Sequence, residues 1–166
     1  LRLGLMVGIA GIIGTLCSGF LTDRLGKRDS RFYCWMPAMI HIIAFIGCWL
    51  VFSSRSSEMV FLLLILPLIT LPASAGPIYA AVQSVAPVQM RATAAAVLLL
   101  TLNLIGMGLG PTFVGLVSDL LTPRFGADSL RIALLITASS YGIGTLAAYI
   151  ASRFFVNDLK RISNSA

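Results

Sequence analysis

The chain has 166 residues, of which 58% are apolar before glycine is counted and only 11% are Asp, Glu, Lys or Arg. Soluble domains average roughly 45–50% apolar residues with glycine included and roughly 25% charged ones, so this composition excludes a water-dispersed globular domain. The net charge of +6 does not point to nucleic acid as a partner. A nucleic-acid binder gathers its cations on one face with aromatic groups that stack, whereas here they fill short gaps between apolar runs, where membrane proteins keep them. The partner implied is the lipid bilayer.

A spanning helix needs about 20 apolar residues, since the hydrocarbon core is about 30 Å thick and each residue rises about 1.5 Å. Five stretches free of Asp, Glu, Lys and Arg reach that length: Leu3–Thr22, Phe32–Ser54, Met59–Met90, Ala92–Ser118 and Ile132–Ser152. They predict an all-α, polytopic membrane helix bundle in one transmembrane domain, with five spans at about 3–22, 33–52, 59–82, 93–118 and 132–152 and a tail over 153–166. The third stretch exceeds a bilayer width and holds Pro67, Pro72, Pro77 and Pro87. It predicts a kinked helix to about Val82, then an interfacial turn through Pro87 to Arg91. The first stretch is not a signal peptide, because its basic cluster follows the apolar run instead of preceding it.

Charge gives the expected orientation. Arg24, Lys27, Arg28, Arg31, Arg91, Arg153, Lys160 and Arg161 fall in one set of alternate loops; Arg2, Arg55, Arg124 and Arg131 fall in the other. Cation-rich short loops stay in the cytoplasm, which predicts an exterior N-terminus and a cytoplasmic C-terminus in a plasma or bacterial inner membrane. Small residues supply a packing signal. Gly4, Gly8, Gly11, Thr15 and Ser18 share a face of the first helix; Gly106 and Gly110 share one on the fourth, and Gly144 and Ala148 one on the fifth. Such stripes let membrane helices approach closely. Cys17, Cys34 and Cys48 lie inside apolar runs with no CxxC spacing and read as small buried hydrophobes.

Two segments carry a family resemblance. After the first span comes Gly19, then Asp23 and Arg24, then Gly26, Lys27 and Arg28. This run resembles the G-x(3)-D-R-x-G-[RK]-[RK] signature of the major facilitator superfamily, a gating loop at the cytoplasmic end of a span. Gly19 would allow close helix approach, Gly26 a tight turn, and Asp23 a contact with the positive end of a helix from the other half. Further on, Gln89 to Ala94 leads into Leu102 to Pro111, and the run closes with Gly115, Ser118 and Asp119. This is similar to the eleventh helix of the spinster-like branch, which would make the five spans the last five of twelve. The chain opens at Leu1 with no initiator Met, and five spans is one short of a half built from two three-helix repeats. A partial C-terminal half is therefore expected, its partner the missing N-terminal helices of the same transporter.

The resemblance implies secondary active transport by alternating access of a small or amphipathic organic solute, such as a lysolipid or sphingolipid-like compound, coupled to protons. The other readings are a facilitator of small organic acids or sugars and a non-transporting five-helix scaffold. Candidate cavity-lining residues are Thr15, Ser18, Thr70, Ser74 and Asn103, with Tyr79 and Gln83 in a vestibule. The single histidine, His41, falls on a helix peripheral in the family and reads as a neutral imidazole bonding a backbone carbonyl, in preference to a proton relay. No His, Cys and carboxylate cluster suggests a metal, and no acid or base stands beside an intramembrane serine, so no catalytic residue and no cofactor are expected.

Overall fold

The computed structural model describes residues 2–165, with the side chains of 4–162. The segments in chain order are α1 (Arg2–Gly26), α2 (Phe32–Ser53), α3 (Ser57–Leu63), α4 (Ile65–Ala73), α5 (Ala75–Ser84), a 3-10 turn (Val88–Met90), α6 (Arg91–Thr101), a π-helical segment (Leu102–Leu109), α7 (Gly110–Phe125), a second 3-10 turn (Gly126–Asp128), α8 (Ser129–Ala138) and α9 (Ser140–Ser165). Among the described residues every regular segment is helical.

Four helical stretches are long and apolar enough to cross a membrane, where the sequence predicted five: Gly4–Gly26, Phe32–Ser53, Ser57–Ser84 and Val88–Ile162. The last has 75 residues, which at about 1.5 Å each far exceeds one bilayer. It folds back on itself. Ser129 at the start of α8 lies 3.3 Å, hydroxyl to hydroxyl, from Ser118 of α7, and its Oγ accepts from Thr122 at 3.2 Å. The reversal is made at Gly126, at φ 53 and ψ −122, the single positive-φ residue among those described. The predicted loop between Ser118 and Ile132 is thus mostly helix, because α7 runs on through Asp119 and Pro123 to Phe125. Likewise the predicted tail is an extension of α9.

The proline effects follow from backbone chemistry. A proline removes the hydrogen bond to the carbonyl four residues earlier and its ring crowds that carbonyl. Pro67 strikes Leu63 and Pro77 strikes Ala73, the last residues of α3 and α4. Pro72 lies within α4 and Pro37 within the first turns of α2 without ending either helix.

α2 is the centre of the bundle. Its first turn meets α1 and α9: the Tyr33 ring lies against Gly26 and 6.4 Å from the Phe155 ring. Midway, His41 lies 5.8 Å ring to ring from Tyr141 and packs on Gly144. At its far end, the Arg131 guanidinium of α8 donates to the carbonyl oxygens of Phe52 and Ser53. α1 runs along α4, with Gly11 facing Pro72 and Gly14 against the Ile69 backbone. The buried apolar residues are mostly small, Ala10, Ala38, Ala44, Ala73, Ala133 and Ala138 among them, while Leu16, Phe20, Leu62, Met107, Leu120 and Ile143 point outward. Inside lipid the drive to hide large apolar groups vanishes, and close backbone packing takes its place.

Candidate transport site and gating loop

The loop after α1 is built from helix-end chemistry. α1 continues helically through Gly26, and the chain turns over Lys27–Arg31. The Asp29 Oδ1 accepts from the backbone N–H of Arg31 at 2.9 Å, and the Asp29 carbonyl accepts from Phe32 at 3.0 Å. These contacts start α2. Gly26 was expected to permit the turn through its backbone freedom, but its backbone is helical. A Cβ there would come within 2.6 Å of the Tyr33 ring, so the glycine lets that ring pack on α1. Gly19 has open space around it, with nothing within 4 Å of a built Cβ.

Asp23, Arg24 and Lys27 are exposed and, with Phe20, line a shallow depression of about 430 Å³. Among the described residues the one ion pair is Arg131–Asp128, at 3.8 Å. Asp23 therefore has no cation partner among the described residues. An exposed carboxylate beside two cations at a helix end is suited to meeting a donor on another surface.

The seven predicted cavity residues do not converge on one cavity. Ser18 and Thr70 are buried within the chain. Ser18 Oγ donates to the Thr15 carbonyl at 3.2 Å, and Thr70 Oγ1 to Leu66 at 3.0 Å. Thr15 is exposed and bonds Gly11; Ser74 is half-buried and bonds Leu71. Hydroxyls so often satisfy themselves on the preceding turn that burial, not residue type, separates these four. Tyr79 is half-buried and Gln83 exposed on α5. Asn103 is exposed in the π-helical segment, its Nδ2 donating to the Leu99 carbonyl at 2.8 Å.

That π-helical segment is the least covered part of the molecule. All eight of its residues are exposed, and α6, the segment and α7 contain no buried residue. The ladder tightens again at Pro111, in the first turn of α7. Rare π-helical turns concentrate at functional sites. A cleft of about 560 Å³ lies between the end of α5 and α6, lined in part by Val82, Pro87, Met90, Val97 and the two threonines Thr93 and Thr101. Those threonines were not among the sequence candidates. Their spacing with Val97, four residues either side on one face, is the signal that could have found them.

Of the predicted packing glycines, Gly11 faces Pro72 at 3.8 Å, whereas Gly8 and Gly106 meet nothing within 4 Å and Gly110 meets only the Ile105 carbonyl of its own helix. Besides Gly26, the tight approaches are at Gly14, Gly47 and Gly144. Gly14 and Gly47 stood outside the predicted stripes.

Over 157 residues, 94% of its length, the chain is 32% identical to an "MFS-type efflux pump" of Mycolicibacterium smegmatis. That likeness supports the major facilitator superfamily. It also agrees with a membrane-embedded chain. The chain spans 36% of the length of this curated relative. No protein-family model matches the chain. In many secondary transporters, substrate sites lie near the bilayer midplane at a repeat interface and are typically formed by discontinuous helices. Here the interrupted helices are α3–α5 and α6–α7.

Proposed function

We propose that the chain is part of the C-terminal half of a facilitator that moves an amphipathic organic solute across the membrane by alternating access. The observation that carries this reading is the 32% identity to an efflux pump across 94% of the chain. Two interrupted helices and a fully exposed π-helical segment agree with it, since a cavity shared with another half needs an uncovered wall. In this reading Asn103, Thr15 and Thr101 face the cavity. Gly19, Asp23, Arg24, Gly26, Lys27 and Arg28 form a cytoplasmic gate whose carboxylate meets a helix end on the other half. The chain crosses the membrane five times, with its N-terminus outside and C-terminus in the cytoplasm. The spinster-like branch and a lysolipid-like cargo belong to this proposal as its most specific form.

The test is flux. Expression of the natural full-length protein containing residues 1–166 should lower cellular accumulation of amphipathic fluorescent probes, and proteoliposomes should show the same movement under an imposed proton gradient. Accumulation indifferent to expression, with the protein present in the membrane, would count against transport of this class.

A further inference from the structure

Two cavities lie side by side along α2 and α9, one apolar and one charged. The larger, about 580 Å³, is apolar and runs between Ala38, Met39 and Ile42 of α2 and Gly142, Thr145 and Leu146 of α9. The smaller, about 380 Å³, is lined by Arg31, Ser152 and Arg153. Trp35 and Tyr149 line both, so the charged chamber adjoins the apolar one.

The charged end has the chemistry of an anion seat. Arg153 is held in place, with its Nη2 donating to the Tyr149 hydroxyl at 2.8 Å and its guanidinium 5.1 Å from that ring's centroid. The remaining guanidinium donors are left over, since one hydrogen bond uses one of five. Arg31 is exposed, and neither arginine is among the ion pairs of the described residues. The nearest carboxylate on the same turn, Asp29, is turned to the Arg31 backbone N–H at 2.9 Å. Trp35 Nε1 is buried and without an acceptor in the shared wall. Both arginines flank apolar stretches, one residue outside α2 and one past the predicted last span, which sets them at the depth of lipid phosphates.

We propose that this pair of cavities binds one anionic phospholipid, its phosphate against Arg31 and Arg153 and an acyl chain along the trough between Met39, Ile42 and Leu146. A free anion would use the two guanidiniums and leave the trough idle; a zwitterionic lipid brings the same phosphate but sets its headgroup cation beside two guanidiniums that no carboxylate offsets. An anionic phospholipid uses both ends. The proposal needs only that the chain is embedded in a bilayer, and it stands or falls apart from the transport reading.

Native mass spectrometry of the full-length protein, released from micelles holding equal phosphatidylglycerol and phosphatidylcholine, tests it. The wild type should retain phosphatidylglycerol preferentially. Arg31→Gln and Arg153→Gln should each weaken that retention about fivefold, and the double variant about 25-fold, the electrostatic contribution of two surface cations. Gly142→Leu should also weaken it, because a Cβ there meets nothing within 4 Å and a larger side chain fills the trough without disturbing a charge. Equal retention of the two lipids by the wild type, or unchanged retention in R31Q/R153Q, would overturn the site. So would a loss in R31Q/R153Q with none in Gly142→Leu, together with displacement by millimolar inorganic phosphate, which would mark a free-anion contact instead.

Discussion

A Cβ built on Gly14 would lie on the carbonyl oxygen of Ile69 and 3.1 Å from its carbonyl carbon, so α1 and α4 meet backbone to backbone. Nothing in that contact can rotate aside, because the opposing atoms belong to the main chain. Gly14→Ala should therefore force the helices apart and destabilise the bundle by about 1–3 kcal/mol. Gly8→Ala, with open space around it, should be neutral or stabilise by up to about 1 kcal/mol through helix propensity. Thermal midpoints of the two variants in mild detergent check this; coincident midpoints would mean that α1 and α4 do not meet as described.

The reversal at Gly126 gives a second test. At φ 53 and ψ −122 the backbone lies outside the regions that residues with a Cβ use. Gly126→Ala should cost about 1–3 kcal/mol and loosen the hydroxyl contacts of Ser118 and Thr122 with Ser129. Proteolysis between Phe125 and Ser129 should then rise in the variant, and an unchanged rate would remove the strain from the account.

Charge neutralisation probes the gate. Asp23→Asn in the full-length protein should reduce flux while leaving membrane abundance unchanged. The loss corresponds to an anion–helix-end interaction of about 0.3–1 kcal/mol, or up to about 2 where partly buried. Lys27→Gln should do less, since a solvated cation contributes weakly. Flux at the wild-type level in both variants would reduce the loop to a topology signal.

Orientation is checked by reporters. Fusions after Arg28 and after Arg161 should read cytoplasmic; insertions within Ser53–Ser57 and at Gly126 should read exterior. The structure supplies a reason to pair the sites in this way. Arg31 and Arg153 line one cavity, and Arg131 reaches the opposite end of α2 at Phe52 and Ser53. The side chain of Arg2, counted with the sparse set, lies outside the described residues. A cytoplasmic reading at Gly126 would remove the fifth crossing.

Helix and membrane character were legible because hydropathy and length alone decide them. That the third span is kinked was legible from its prolines, but not that the breaks fall at Leu64 and Ser74, opposite Pro67 and Pro77, while Pro72 leaves α4 whole. The π-helical segment did not follow, since a shift of one residue in the hydrogen-bond ladder leaves no mark on the apolar pattern of Leu102–Leu109. Nor did the turn: Gly126 was passed over because the helices on either side extend beyond their apolar runs. Among the small residues, spacing could say that a stripe existed but not which member opposed a backbone. Gly11 and Gly14 stand one turn apart on α1, and only the position of Ile69 distinguishes their roles. The cavity candidates failed to converge for a similar reason. Thr15 and Ser18 differ by one helical turn, yet one is exposed and the other buried.

The small-inside, large-outside arrangement inverts the usual map of mutational tolerance. In a soluble protein the bulky interior residues resist replacement and the rim accepts almost anything. Here Leu16, Phe20 or Leu120 should trade freely for one another's kind, since each needs only to remain oily. Ala44 and Ala133, buried to 1% and 0% exposure, have no room for even one added methylene. A saturation screen should accordingly find its least permissive positions at buried alanines and at closely packed glycines such as Gly14, and anyone seeking to stabilise the fold should leave those sites alone.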